Sequence, residues 1–334
     1  MKSEPKIAVI GAGSWGTALV KLLQHNEKQI GWWVNSRESL DFIKTHNRNP
    51  KYLTYVEIDS TKIELSTDLQ YVVKKYDILV FAIPSAFLNE TLEQAQLTSE
   101  HFRDKTLVSA IKGIVPQYNQ IVARYFKDKY EVPFENIGII AGPCHAEEVA
   151  MQKLSYLTIA FLQRKKAIHF ASKLQTYYMK TKTSNDIAGT EYSAMLKNIY
   201  ALANGIAIGL GYGDNFQAVL IVNSMKEIRK FLKEVFPHSR KIVSSEYFGD
   251  LLVTAYSKFS RNRLFGTYIG QGYSVKATMA EMRMIAEGYY ASKCLMEIKS
   301  QYNVKLPIAD AVYNILYENV SPVVELKILT EKLN

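Results

Sequence analysis

The run Lys6-Ile7-Ala8-Val9-Ile10 leads straight into Gly11-Ala12-Gly13-Ser14-Trp15-Gly16, and an Ala/Leu/Val-rich stretch follows from Thr17 to Leu23. This order constrains the fold more than any other feature of the chain. A short β-branched strand, three glycines spaced G-x-G-x-x-G and a helix make the opening of a βαβ unit that binds a dinucleotide. Gly11 permits the tight turn, Gly13 lets the backbone approach a pyrophosphate, and Gly16 lets the helix pack on the strand. The N–H groups and positive dipole end of the helix then face the phosphates.

The first half continues the alternation. Strands are expected at Ile7–Ile10, Ile30–Val34, Ile78–Ile83, Thr106–Ala110 and Ile137–Ala141, mostly followed by helix-compatible sequence, with further β-like runs at Ser155–Phe161 and Lys180–Thr183. That pattern predicts an α/β domain, a Rossmann-type doubly wound parallel sheet with helices on both faces. From about Asp186 helical periodicity takes over, as in Glu191–Leu210, Gln217–Phe236, Phe248–Lys258, Ala277–Tyr302 and Ala309–Tyr317. The expected division is residues 1–187, a dinucleotide-binding domain, and 188–334, a mostly α-helical substrate and catalytic domain. A chain of 334 residues suits two domains. Ligands of such sheets bind beyond the carboxyl ends of the strands, so the reaction is expected between that edge and the helical domain.

Charge and cysteine content narrow the function classes. The net charge is +9 and the pI about 9.2, but the basic residues are scattered, as in Lys44, Arg48 and Lys51, and the run Arg164-Lys165-Lys166 is short. Nucleic acid is therefore not an expected partner, whereas a basic surface suits phosphorylated metabolites. Cys144 and Cys294 have neither CxxC nor metal-ligand spacing, so a reducing compartment and no metal are expected. With no apolar signal region in Met1-Lys2-Ser3-Glu4-Pro5, no signal segment is expected ahead of the first strand. The apolar stretch Tyr192–Gly213 includes Asn198, Asn204 and four glycines, and reads as a buried helix rather than a membrane span. A soluble, cytoplasmic protein follows as the expectation, with a homodimer as a possible assembly.

Lys197 is the only charged residue between Glu191 and Asp214. Helical spacing puts it on one face with Ser193, Ala201 and Asn204. A buried ammonium loses proton affinity and becomes a general acid and base near neutral pH; the alternative is a surface lysine with its stem along apolar neighbours. A second constellation is Gly249-Asp250-Leu251, Thr254 and Ser260-Arg261-Asn262-Arg263. As one helix it would align Asp250, Thr254, Ser257 and Arg261 and offer groups that orient a polyol phosphate; the alternative is a polar loop. Lys112 follows the strand at 106–110, and Gly142-Pro143-Cys144-His145-Ala146-Glu147-Glu148 follows the strand at 137–141. Both segments fall where a ligand would approach, though a loop lysine and a structural turn also account for them.

Taken in order, Gly11–Leu19, Ile83-Pro84-Ser85, Lys112-Gly113, Gly142–Glu148, Leu196-Lys197-Asn198, Gly249-Asp250-Leu251, Ser260–Arg263 and Ala286-Glu287-Gly288 resemble the NAD(P)-dependent glycerol-3-phosphate dehydrogenases of bacterial type. The resemblance implies reversible reduction of dihydroxyacetone phosphate to sn-glycerol 3-phosphate for phospholipid synthesis, with Lys197 as the catalytic acid and base. It also implies substrate contacts at Lys112, Gly142, Cys144, Lys197, Asp250, Ser260, Arg261 and Asn262. Cofactor contacts are implied at Gly11, Gly13, Ser14, Trp15, Gly16, Asn35, Ser36, Arg37, Lys112, Ala146, Arg261, Ile285 and Glu287. Cys144 departs from the small hydroxyl residue usual there and donates a weaker hydrogen bond. Ala286 stands where valine is common. Asn35-Ser36-Arg37 holds no carboxylate for a ribose 2′-OH and one arginine for a 2′-phosphate, which favours NADPH over NADH. The rival readings are a 3-hydroxyacid or ketopantoate reductase, which the phosphate-directed Ser260-Arg261-Asn262 argues against, and a non-catalytic dinucleotide sensor, which needs no buried lysine.

Overall fold

The computed structural model describes residues 4–282 and 286–333. The chain divides into two compact units: residues 1–111 with 122–187, and residues 112–121 with 188–334.

The first unit is built on an eight-stranded sheet. Its strands are β1 (Ile7–Ile10), β2 (Ile30–Trp33), β3 (Ile63–Ser66), β4 (Ile78–Phe81) and β5 (Thr106–Ser109), then, past a small hairpin of β6 (Ile114–Val115) and β7 (Gln120–Ile121), β8 (Ile137–Ala141), β9 (Ser155–Phe161) and β10 (Met179–Ser184). The order is β10-β9-β8-β5-β4-β1-β2-β3. The strands β1, β4 and β8 are buried along their whole length, as expected where helices cover both faces. β1 pairs in parallel with β2 on one side and β4 on the other, Ile7 facing both Ile30 and Ile78. The connections therefore reverse direction at β1, the place where doubly wound sheets open a crevice for ligands.

Two features depart from the expectation. β8 and β9 pair antiparallel, which reverses β9 and β10 relative to the rest of the sheet. β3 was not foreseen: its sequence, Ile-Glu-Leu-Ser, is half-buried throughout and lies at the sheet's edge, where an apolar run is not required.

Among the described residues the second unit is helical apart from the hairpin. Helix Ile187–Gly209 is followed by Asp214–Val235, Asp250–Tyr256, Arg261–Gly270, Val275–Met282, Glu287–Tyr302, Pro307–Tyr317 and Pro322–Thr330. Met195, Leu196, Ile199, Leu202 and Ile206 of the first helix lie in one apolar core with Phe231, Leu251, Phe265, Leu295 and Val312. Ile114 of β6 joins the same core, which is why residues 112–121 group with the helices rather than with a single cut at 187. The helix expected over 248–258 is shorter, preceded by a wider turn at Ser245–Gly249, and closes at Tyr256. Ser260 opens a separate helix by accepting from Arg263 N at 3.2 Å. Asp250, Thr254, Ser257 and Arg261 are therefore not one helical face.

Candidate active site

In the first unit the glycine turn has the geometry its sequence requires. Gly11 takes φ +119°, and a Cβ there would come within 2.6 Å of Ala82 O. A Cβ on Gly16 would come within 2.2 Å of Gly11 O, so helix Ser14–Leu23 packs against the turn at glycine distance. Gly13 is different: nothing lies within 4 Å of its Cβ position. Trp32 fixes the turn from behind, its indole donating to Gly11 O at 3.0 Å. The N-cap residue Gly13 has no side chain to cap the helix and no acid lies in its first turn, an arrangement that suits an anion at its positive end.

Beside the turn is a cleft of about 860 Å³. Gly11 to Gly13, Trp33 at the end of β2, Asn35 just beyond it, and Ala82 to Pro84 after β4 all line it, so it opens at the carboxyl ends of these strands. This volume suits a dinucleotide, and the open face of Gly13 fits a pyrophosphate against the backbone. Of the residues expected to contact a cofactor, Gly11, Gly13 and Asn35 line the cleft. Arg37 does not. Its side chain is 75% exposed and pairs with Asp41 at 3.3 Å. Asn49, Lys51 and Tyr52 do line it and were not foreseen as site residues; the Asn49-Pro50 turn signal was their only local mark.

Gly142 repeats the Gly11 conformation after β8, again at φ +119°. Cys144 is buried and its thiol donates to Tyr156 O at 3.2 Å. Ala146 begins a helix of one turn and a half.

The second unit gathers the charged residues. Lys197, 3% exposed, donates to Asp250 Oδ1, and Lys112 reaches the same oxygen at 3.5 Å. Lys112, Lys197 and Asp250 are far apart in sequence, so only the fold brings them together. Asn198 donates to Lys112 O at 2.7 Å and ties that backbone to the helix carrying Lys197. Asn204, two turns further on, donates to Ala255 O at 2.9 Å and holds the end of the helix that Asp250 begins. Asp250 Oδ2 is buried with no hydrogen-bond partner among the described residues. A buried carboxylate oxygen facing no donor is costly, and a ligand hydroxyl would satisfy it.

Burial pushes the Lys197 ammonium down to about 7, and the neighbouring charge of Lys112 pushes the same way. The Asp250 carboxylate opposes both. The snorkelling alternative is excluded by this burial.

Small residues place the phosphate-directed segment against the lysine helix. A Cβ on Gly205 would lie 2.0 Å from Arg263 O, and one on Gly266 would lie 2.2 Å from Leu202 O, so helices Ile187–Gly209 and Arg261–Gly270 touch backbone to backbone. Ser260 is the cap of the second helix, Arg261 is exposed at its first position, and Asn262 Oδ1 accepts from Gly288 N at 2.9 Å. Glu287 opens the helix that contains Gly288. Ile285 lies outside the described residues. Ser14, Trp15, Gly16 and Ser36 flank the cleft's lining residues in sequence without lining it themselves. Among the described residues no group of three or more His, Cys, Asp or Glu is placed to hold a metal, and no helix is long and apolar enough to cross a membrane.

Comparison with known proteins agrees with this geometry. Residues 6–167 match the family described as NAD-dependent glycerol-3-phosphate dehydrogenase N-terminus, and residues 186–327 match its C-terminus. A glycerol-3-phosphate dehydrogenase [NAD(P)+] of Syntrophomonas wolfei is 35% identical over 316 residues, 94% of this chain and 91% of the relative. One of Staphylococcus aureus is 33% identical over 321 residues, 95% of each chain. The crystal structure of glycerol-3-phosphate dehydrogenase from Coxiella burnetii superposes with a TM-score of 0.89 over 98% of this chain and 99% of that one, at 23% identity, a likeness of fold. A turn built for a dinucleotide, a buried lysine–aspartate–lysine cluster and these relatives agree: the chain belongs to the NAD(P)-dependent glycerol-3-phosphate dehydrogenase family.

Proposed function

We propose that this chain interconverts dihydroxyacetone phosphate and sn-glycerol 3-phosphate with NAD(P)H, NADPH being the favoured reductant. The observation that carries the reading is the buried Lys197 held on Asp250, with Lys112 at 3.5 Å from the same carboxylate. When bound, the nicotinamide supplies and takes up the hydride. The chain's own residues handle the proton and the charge.

As C2 of the ketone becomes an alkoxide, Lys197 gives it a proton from Nζ; in the reverse direction the neutral amine takes that proton back. A lysine brought near neutrality can serve both directions. Asp250 holds Nζ in place, and its unpartnered Oδ2 suits a substrate hydroxyl. Lys112 adds positive charge where the oxyanion forms. Arg261 supplies a guanidinium fork for the phosphate, and Ser260 and Asn262 fix the start of its helix. Gly142 and Cys144 belong to the substrate contacts in this reading. The Cys144 thiol already bonds to Tyr156 O, so its contribution is bulk more than hydrogen bonding. Ser14, Trp15, Gly16, Ser36, Ala146, Ile285 and Glu287 are assigned to the cofactor. The product feeds glycerophospholipid synthesis, and a cytoplasmic homodimer is the expected working form.

The test is NADPH oxidation followed at 340 nm with dihydroxyacetone phosphate and with unphosphorylated dihydroxyacetone at equal concentration. Turnover of the phosphate alone is expected, and Lys197→Ala should lower kcat by about 10³-fold while NADPH binding stays intact. Equal turnover of the two ketones, or near-normal rates in the lysine variant, would overturn the assignment.

A further inference from the structure

The cleft of the first unit carries a charge that neither the glycine motif nor the end of β2 explains. Asn35 offers no carboxylate to a ribose, and Arg37 is turned outward onto Asp41. Among the described residues lining the cleft, the only cation is Lys51; the other charged ones are Asp68 and Glu90. Asp68 is committed elsewhere, since its Oδ1 caps a helix by accepting from Tyr71 N at 3.0 Å.

Lys51 sits on no regular element, yet its backbone is closely fixed. Asn49 is 3% exposed and uses both ends of its amide. Nδ2 donates to Ala12 O of the glycine turn at 2.9 Å and to Thr17 Oγ1 at 2.8 Å. Oδ1 accepts from Lys51 N at 2.9 Å and from Tyr52 N at 3.0 Å. One buried side chain thus joins the turn that faces the pyrophosphate to the turn that presents Lys51. Two residues on, buried Leu53 takes φ +51°, a left-handed conformation that a branched aliphatic residue seldom adopts. Its carbonyl accepts from Val56 N at 2.8 Å, and Ile58 N returns to Asn47 O at 2.9 Å, so the segment is closed on itself. A loop held by these hydrogen bonds, with an exposed lysine that lines the cleft, has the features of a ligand contact.

We propose that Lys51, carried on the loop that Asn49 pins to the glycine turn, binds the 2′-phosphate of NADP(H) and sets the preference for that cofactor, in place of Arg37. The inference rests on the dinucleotide reading of the cleft and is independent of which ketone is reduced. A lysine acts on phosphate as a point charge. Without it the described residues of the cleft keep two carboxylates and no cation, so a dianion is penalised while a ribose hydroxyl is not.

The experiment is calorimetric titration of the full chain with adenosine 2′,5′-bisphosphate and with 5′-AMP, which differ only in the 2′-phosphate. Wild type should bind the bisphosphate more tightly. Lys51→Gln should weaken it about 10-fold or more, as expected for loss of one charged contact, with 5′-AMP changed less than about twofold. Arg37→Gln should leave both within about twofold. KM for NADPH should rise in Lys51→Gln, with KM for NADH unchanged. An unaltered ratio of the two nucleotides in Lys51→Gln, or transfer of the loss to Arg37→Gln, overturns the proposal, as does equal binding of both nucleotides by wild type. Failure of the wild-type chain to reduce dihydroxyacetone phosphate would instead refute the proposed reaction and leave the nucleotide comparison standing.

Discussion

Replacing Asp250 with asparagine isolates the charge in the buried cluster from its shape. The residue keeps its size, and the bond from Thr254 Oγ1 to the carbonyl of residue 250 is untouched. What disappears is the one negative charge that keeps Lys197 protonated against burial and against Lys112. Unit charges about 4 Å apart interact by about 4 kcal/mol at an effective dielectric of about 20, and about 1.4 kcal/mol moves a pKa by one pH unit. Water entry and side-chain relaxation absorb part of this, so a fall of about two pH units is expected. Reduction of the ketone requires the protonated lysine. Its kcat/KM should be flat at acid pH and fall about tenfold per pH unit above the lysine's pKa. Wild type should break near the value of about 7, and the variant about two pH units lower. At neutral pH the protonated fraction then drops from about one half to about one hundredth, a loss of about 50-fold, most of it recovered by acidification. Initial rates of NADPH oxidation across the pH range, wild type and variant side by side, measure this directly, because titration of the substrate phosphate is common to both. Superimposable profiles, or a loss of equal size at every pH, would refute the claim that Asp250 acts through its charge on Lys197.

Gly205→Ala would place a Cβ 2.0 Å from Arg263 O and force apart the helices carrying Lys197 and Arg261; a destabilisation of about 1–3 kcal/mol should lower Tm, and KM for dihydroxyacetone phosphate should rise as Arg261 shifts. Glu227 is buried at the start of helix Pro307–Tyr317, where it accepts from Ile308 N at 2.7 Å, Ala309 N at 3.3 Å and the Tyr200 hydroxyl at 3.1 Å, and burial pushes its carboxyl up to about 7. Because the folded pKa lies above the unfolded one, this contribution to stability is complete below about pH 4.5 and lost as pH rises through about 7. Wild-type unfolding free energy should therefore decline between those values by up to about 3 kcal/mol more than that of Glu227→Gln, and Tm with it; parallel Tm curves would exclude Glu227 as the source.

How far the sequence could be read follows from the range over which each interaction acts. The glycine turn was legible because strand, turn and helix are contiguous: Gly11 and Gly16 each answer a close contact within the same unit, and Gly13 leaves its face open. The apolar strands β1, β4 and β8 were legible because burial on both faces leaves a continuous hydrophobic run. Strand direction is not local, so nothing in Ser155–Phe161 marked it as antiparallel to β8. The break between Tyr256 and Arg261 was legible only in part: the expected helix ended at Lys258 with a polar loop as the alternative, but Ser257-Lys258-Phe259-Ser260 holds neither glycine nor proline, and the Ser260 hydroxyl on Arg263 N marks where the new helix starts. Lys197 stood out as a lone charge in an apolar helix, but its burial, its bond to Asp250 and the approach of Lys112 depend on three distant segments meeting. Lys51 carries the same lesson further. On composition it was one scattered basic residue among many, and Arg37, beside the strand end, had the stronger claim. Arg37 has a local partner in Asp41 four residues on, which draws its guanidinium along the helix surface. Lys51 has its backbone, not its charge, committed through Asn49, and so keeps its ammonium for the cleft. Where two cations compete for one anion, the chain's own hydrogen bonds decide which is left to bind it.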